Sequence, residues 1–272
     1  MNKNSFLFLI LILFPAIIKA QSTDIIGELK PGNILIGRGE KILTVTLDNV
    51  KIPVENGRLF LLGFDRDAKE KYDLKIVYQN GFVETKTLTL EKRSYDVQKI
   101  KVAQKYVEPP KEVLEKIERE SEMMKTARAQ VGKIDTALYS SGFIRPVKGG
   151  RVSGVFGSQR IINGTPRNIH NGVDFTSPIG APVYATSDGV VIIAGEDFYY
   201  NGNFILLDHG HGLSSIYIHL SKLNVKAGDR VAKGDKIGEV GSTGRSTGPH
   251  LHWGVQLYNK RIDPLSLLQI KF

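Results

Sequence analysis

The feature that most constrains this chain is a series of short apolar runs separated by glycines in its second half. Residues 189–195 and 203–208 are two such runs. Apolar runs of this length between glycine turns are typical of antiparallel strands. Residues 225–231 and 233–238, which contain further glycines, predict a tight two-stranded ribbon. The pattern therefore predicts an antiparallel β domain over residues 141–272.

A second β pattern covers residues 21–105. The runs 42–47, 72–78 and 82–90 alternate with a period of two and are rich in β-branched and aromatic residues, and the Asn-Gly pairs 56–57 and 80–81 are hairpin signals. We expect a small β-sandwich, which makes the fold mainly β. This region has no histidine, so a spacer, docking or inhibitory role is expected for it rather than catalysis.

A helical linker is predicted between these regions, over residues 106–140. Pro109 and Pro110 suit a helix start, and Gly132 suits a break. Apolar residues recur at intervals of seven, at Ile117, Met124, Val131 and Leu138. The pattern allows a coiled coil with a partner, but an amphipathic helix packed on its own chain is the favoured interpretation.

The first twenty residues have the features of an export signal. Lys3 precedes the apolar stretch 6–18, and Ala20 is a small residue suited to cleavage. A helix of this stretch would reach only about 20 Å, short of the roughly 30 Å hydrocarbon core. We expect a signal peptide over residues 1–20, cleaved after Ala20, and a periplasmic or otherwise exported protein. The bulky Ile18 leaves a retained anchor as the alternative.

Composition excludes several kinds of chemistry. The chain has no cysteine, which rules out disulfides, thiolate zinc sites and cysteine nucleophiles. It has 37 Lys and Arg against 28 Asp and Glu, a formal charge of +9. We therefore expect association with anionic envelope surfaces. Nucleic acid is not an expected partner, because export separates the protein from DNA and no nucleic-acid motif is present.

All six histidines lie after residue 141. In a strand, His250 and His252 would point to the same face while Trp253 points to the core. His170 and Asp174 form a second pair, and one more imidazole from His252 would complete two histidines and one aspartate. Three protein ligands leave a fourth position for water, which is typical of catalytic zinc.

Two other groups of histidines compete with this interpretation. His209 and His211 have the same spacing as His250 and His252, and spacing alone does not distinguish the pairs. Their flanking glycines favour surface histidines in a hairpin turn. His219 stands alone in a predicted strand, where a buried core residue is the ordinary expectation.

Residues 145–268 resemble the lysostaphin/LytM-type zinc endopeptidases, which cut cross-links or stem peptides of bacterial peptidoglycan. The resemblance is carried by five motifs: His170-x-x-x-Asp174, Pro178-x-Gly180-x-Pro182-Val183, Asp208-His209-Gly210, His219-Leu220-Ser221, and Gly241-x-Thr243-Gly244-x-Ser246-Thr247-Gly248-Pro249-His250-Leu251-His252. The segments 63–67 and 93–98 resemble the accessory β domain of Gram-negative envelope relatives, which supports a periplasmic location.

The resemblance implies a peptidase domain with an open groove and one Zn²⁺ held by His170, Asp174 and His252. It implies that His219 and His250 are catalytic histidines that do not bind the metal. Zinc would activate water at neutral pH, with His250 as general base and His219 stabilising the oxyanion or protonating the leaving amine. The residues alone do not decide which histidine has which role.

Two other functions remain open from the sequence. A non-catalytic regulator could dock on and activate another cell-wall hydrolase through the accessory domain and linker. A carrier or adaptor with a lipoyl-like barrel is the third, suggested by the ribbon over residues 228–238. We also expect residues 21–140 to inhibit the site partially by covering the groove.

Overall fold

The computed structural model describes residues 22–270, so the expected signal segment lies outside the described residues. The strands are β1 (Asp24–Ile26), β2 (Ile34–Arg38), β3 (Ile42–Leu47), β4 (Val50–Ile52), β5 (Leu59–Gly63), β6 (Lys71–Tyr78), β7 (Val83–Thr89), β8 (Val97–Ile100), β9 (Val152–Gly154), β10 (Gln159–Ile162), β11 (Thr165–Ile169), β12 (Val173–Thr176), β13 (Pro182–Tyr184), β14 (Gly189–Phe198), β15 (Gly202–Asp208), β16 (Leu213–Leu223), β17 (Arg230–Val231), β18 (Lys236–Val240), β19 (His250–Leu257) and β20 (Lys260–Ile262). The helices are α1 (Leu114–Arg128) and α2 (Pro264–Leu267), with short 3-10 turns at Gln104–Tyr106, Lys111–Val113 and Leu138–Ser141.

Two small sheets form the N-terminal part of the molecule. One has the order β1-β2-β5 and the other β4-β3-β6-β7. They enclose a common core that includes Leu35, Phe60 and Tyr78, each fully buried. The alternation in β3 and β6 directs every second side chain into this core. The predicted small β-sandwich is confirmed.

A ten-stranded sheet dominates the C-terminal part. Its main path is β17-β14-β15-β16-β19-β12-β9, and all its pairs are antiparallel. Trp253 and Tyr217 are fully buried in its core. The prediction of an antiparallel β domain is confirmed, as is the burial of Trp253.

The predicted ribbon over residues 225–238 is wrong. The two segments do become strands, β17 and β18, but they do not pair with each other. β17 pairs with β14, whereas β18 pairs with β13 and β16. Glycines 228 and 234 mark turns, with φ of 89° and 91°, but the hydrogen-bonding partners come from distant segments. The basis for a lipoyl-like carrier is thereby removed.

The N-terminal strands also contribute to the C-terminal core. Ile34, Ile36 and Leu61 pack in the same cluster as Trp253. An ion pair of 2.5 Å joins Arg93 Nη2 to Asp263 Oδ2 across the two parts. The two parts therefore share buried surface and charge contacts.

The segment before residue 141 packs along the large sheet. α1 buries Ala127, and Met124 and Val131 pack against a cluster that includes Phe204 and Ile216. The expectation of a helix packed on its own chain is confirmed, although Leu138 lies beyond α1 in a 3-10 turn. Among residues 22–270, no helix has the length and apolar character needed to cross a membrane.

Candidate metal centre

Three neighbouring strands position the histidines and the aspartate singled out above. β12 and β19 are antiparallel, and their register places Asp174 opposite His252. β16 lies on the other side of β19, with Ile218 opposite His252, so His219 follows at the same level. His170 comes directly after β11, four residues before Asp174. The structure thus brings together side chains that are up to 82 residues apart in sequence.

Three donor atoms converge between these strands. Asp174 Oδ1 lies 3.0 Å from His170 Nε2 and 2.8 Å from His252 Nδ1, and the two nitrogens are 3.0 Å apart. His170 and Asp174 are buried, with 2% and 7% of their surface exposed. Tetrahedral zinc with bonds of ~2.0–2.1 Å places neighbouring donors about 3.3 Å apart, so the spacing and the donor types fit one zinc ion.

Hydrogen bonds outside the cluster orient its members. His170 Nδ1 lies 3.0 Å from the carbonyl oxygen of Val155, which can only accept a hydrogen bond. Nδ1 therefore carries the proton, and Nε2 presents its lone pair to the centre. Burial would raise the pKa of Asp174, but its close contacts with His170 and His252 outweigh burial and hold that pKa well below its ordinary value.

Arg160 is a member of the site that sequence reasoning missed. Its Nη2 donates to Asp174 Oδ2 at 2.8 Å, which leaves Oδ1 for the donor cluster. Arg160 lies on β10, and neither its spacing nor its neighbours in sequence signalled a role. The contact depends on the assembled fold, because β10 belongs to a different sheet from β12.

His219 and His250 lie next to the three donors. The rings of His219 and His250 are 4.8 Å apart, and His250 Nε2 is 4.0 Å from Asp174 Oδ1. Each Nδ1 lies 2.8 Å from a carbonyl oxygen, of Thr243 and Gly248 respectively. Both rings therefore carry their proton on Nδ1 when neutral, and Nε2 is the acceptor.

Burial sets the charge of two of these imidazoles. It lowers the pKa of His219 to about 3, and the charges of His250 and His252 add to the effect. It lowers the pKa of His252 to about 4, against the opposing influence of Asp174. Both rings are therefore neutral at pH 7, as a metal ligand or a proton acceptor must be.

The competing pair, His209 and His211, lies in the turn between β15 and β16, as expected, but not at the surface. They are 0% and 5% exposed, so the expectation of surface histidines is wrong. His209 Nδ1 lies 2.7 Å from the carbonyl oxygen of Asp188, and its Nε2 lies 2.7 Å from Ser215 Oγ. Both nitrogens of His209 thus have protein partners, and the ring has a structural role.

The donor cluster lies in a cleft of about 490 Å³. One wall comes from the segment around α1, through Tyr106, Met124 and Arg128. A hydrogen bond of 2.5 Å from the Tyr199 hydroxyl to the carbonyl oxygen of Lys105 attaches this wall to the large sheet, next to Tyr106. The arrangement offers a metal centre and two proton-accepting imidazoles to a ligand in an open cleft.

Comparison with known proteins shows a family match over the part of the chain that contains this cluster. Residues 168–264 match the model of peptidase family M23. The catalytic domain of lysostaphin from Staphylococcus simulans is 39% identical over 44% of this chain and 93% of that domain, with a TM-score of 0.40. The chain contains a peptidase family M23 domain over residues 168–264. All five residues of the donor cluster and its flanking histidines lie within the M23 match.

Two further relatives extend the comparison. Peptidoglycan DD-endopeptidase ShyA of Vibrio cholerae is 46% identical over 116 residues, which cover 42% of this chain and 27% of ShyA. The chain therefore spans about a quarter of the length of this curated relative. A crystal structure described as a peptidase M23 from Pseudomonas aeruginosa is 28% identical, with a TM-score of 0.64 over 89% of this chain and 96% of that one. The mainly β fold around the M23 domain is thus shared nearly throughout.

Proposed function

We propose that this protein is an exported zinc-dependent endopeptidase that hydrolyses peptide cross-links or stem peptides of bacterial peptidoglycan. The observation that carries the proposal is the convergence of His170 Nε2, Asp174 Oδ1 and His252 Nδ1 within 3.0 Å of one another in an open cleft. The substrate class is supported by ShyA and by the Neisseria meningitidis protein named DD-carboxypeptidase/endopeptidase Mpg, 38% identical over 124 residues.

The residues of the site have distinct roles in this proposal. A zinc ion held by His170, Asp174 and His252 would polarise the scissile carbonyl and activate water at neutral pH. His250 is assigned as the general base because its Nε2 lies beside the donor cluster and carries no proton when neutral. The proton it accepts then passes to the leaving amine. The ring of His219 lies 4.8 Å from that of His250, and we assign its Nε2 to orient the water or the amine.

The organisation of the chain follows from this assignment. We propose a signal peptide over residues 1–20, an accessory β domain over 21–105, a helical linker over 106–140 and the peptidase domain over 141–272. The relatives named as peptidoglycan enzymes come from Gram-negative bacteria, which supports the periplasm as the compartment. Partial inhibition by residues 21–140 stays a prediction, supported by the position of Tyr106 and Met124 in the cleft wall.

The test is digestion of purified sacculi by the mature protein. We expect about one zinc per chain, release of peptide fragments, loss of activity with a chelator and recovery with zinc. His250→Ala should retain zinc and its melting temperature but lose activity, whereas His252→Ala should lose zinc. Full activity of His250→Ala, or activity in both variants after complete chelation, would refute the assignment.

A further inference from the structure

Two arginines lie at the end of the cleft away from the donor cluster. Arg128 is the last residue of α1 and Arg261 lies on β20, and both line the same cleft as His170 and His252. Gln256 of β19 connects them. Its Oε1 accepts a hydrogen bond from Arg128 Nη1 at 2.5 Å, and Arg261 is its cross-strand partner. The linker helix thus supplies one guanidinium and the M23 domain the other.

Neither guanidinium forms an ion pair in the part of the chain that the structure describes: no carboxylate oxygen of residues 22–270 lies within 4.0 Å of either one. The negative charge that acts on Arg261 is that of Asp65, which accepts from the backbone N–H of Arg261 at 3.3 Å. Burial, together with the charge of Arg261, lowers the pKa of Arg128 to about 10. Two partly buried cations that repel each other are stabilised by an anion that both can contact.

Strand β19 runs between this pair and the donor cluster. His252, Gly254 and Gln256 alternate along β19 and face the same side. A Cβ at Gly254 would lie 3.0 Å from Ile216 Cγ2 and 3.2 Å from the carbonyl oxygen of Asn171, so this position of the strand is crowded by neighbouring atoms. Four residues of strand span about 13 Å at ~3.3–3.4 Å each. An extended peptide covers that distance with about four residues.

We infer that Arg128 and Arg261 bind a carboxylate of the substrate peptide, about four residues from the bond cleaved at the donor cluster. The inference rests on the proposed function, because it names a feature of the substrate of that same site. A peptide in the cleft can present this charge as an acidic side chain or as a free C-terminus. Guanidinium groups suit this ligand, since their planar N–H donors match the two oxygens of a carboxylate.

The test compares two forms of soluble cross-linked muropeptides, one with free carboxyl groups and one with those groups converted to amides. We expect the wild-type protein to have a KM about tenfold lower for the free form, the usual worth of a charge-assisted hydrogen bond. Arg128→Gln and Arg261→Gln should each raise KM for the free form by about tenfold, with kcat unchanged and KM for the amidated form unchanged. Arg230→Gln, at an exposed position on β17, is the matched control and should behave as wild type.

The outcomes separate the inference from the function. A wild-type protein that cleaves neither form refutes the proposed function itself. Cleavage of both forms with equal KM, unchanged in the two Gln variants, overturns the carboxylate site and leaves the endopeptidase intact. Should the Gln variants melt early, Arg128→Lys and Arg261→Lys keep the charge, and most of the preference for the free form should remain and weaken at high salt. A preference that does not weaken at high salt would also overturn the inference.

Discussion

The two groups of buried histidines in this protein differ in what their nitrogens face. His209 and His252 are both largely shielded from water, and burial lowers the pKa of each to about 4. His209 uses both nitrogens on protein neighbours, the carbonyl oxygen of Asp188 just before β14 and the hydroxyl of Ser215 on β16. His252 instead shares Asp174 with His170, and all three turn their donor atoms to one point in a cleft. Burial and a lowered pKa therefore do not distinguish a candidate site from a structural histidine, whereas convergence of donors does.

The comparison is tested most strongly by removing one residue from each group. Asp174→Asn should lower activity by at least about 10³-fold and abolish zinc binding, because it removes the charged ligand. His209→Asn should keep zinc and activity at low temperature but lower the free energy of unfolding by about 2–3 kcal/mol, since two buried hydrogen bonds are lost. Digestion assays, zinc analysis and urea unfolding measure these effects. Equal loss of zinc in both variants would remove the distinction between the groups.

The pH dependence of stability should reveal the structural histidine. The pKa of His209 is about 4 in the folded protein and 6.5 ordinarily, so between these values the unfolded chain binds more protons. The free energy of unfolding should therefore fall as the pH is lowered from 6.5 to 4, with His209 contributing on the order of 3 kcal/mol. Urea unfolding of the zinc-free protein across this range should show a steeper fall in wild type than in His209→Asn. Parallel pH profiles would contradict the prediction.

Arg160 provides a further test of this comparison, because it donates a hydrogen bond to Asp174 of the donor cluster and makes no such contact with His209. Arg160→Gln should weaken zinc binding by about 10–100-fold, since Asp174 loses the donor that fixes its orientation. Arg160→Lys should recover part of that affinity. Competition with a chromophoric chelator measures the dissociation constant independently of activity. If Arg160→Gln binds zinc as wild type does, Arg160 does not position Asp174.

The smallest effect is expected at the wall of the cleft. Tyr199→Phe removes the hydroxyl that holds the carbonyl oxygen of Lys105 and should loosen the segment before α1. If that segment partially covers the site, kcat/KM on sacculi should rise by about twofold, the effect of one weak hydrogen bond. Tyr184→Phe, on the separate strand β13, is the control. A fall in kcat/KM for Tyr199→Phe would show that the segment assists binding instead.

The sequence predicted individual strands well because their signals are local. The alternation over residues 42–47 coincides with β3, and the run 72–78 with β6. The predicted pairing of β17 with β18 is wrong because strand pairing depends on long-range packing. The positions of glycine turns carry no information about that packing. Sequence spacing also gave equal weight to the pairs 209/211 and 250/252, since it carries no information on burial.

The donor residues were named from sequence motifs, but the groups that support them were not. Arg160 reaches Asp174 from a separate small sheet, in which β10 pairs with β8 and β11. Arg128 reaches the cleft because α1 packs on the large sheet, with its end 128 residues from Gln256 in sequence. Contacts of this kind depend on the assembled fold, and a guanidinium on a strand or helix has no local signature of them.

The parallel pairing of β8 with β10 gives the N-terminal region a direct connection to the metal centre. Arg160 is opposite Gln98 in this pairing, and its Nε donates to Gln98 Oε1 at 3.3 Å while Nη2 holds Asp174. One guanidinium thus bridges the strand that leaves the sandwich and the carboxylate at the centre. Tension on the chain ahead of α1 would be transmitted to that carboxylate through this side chain.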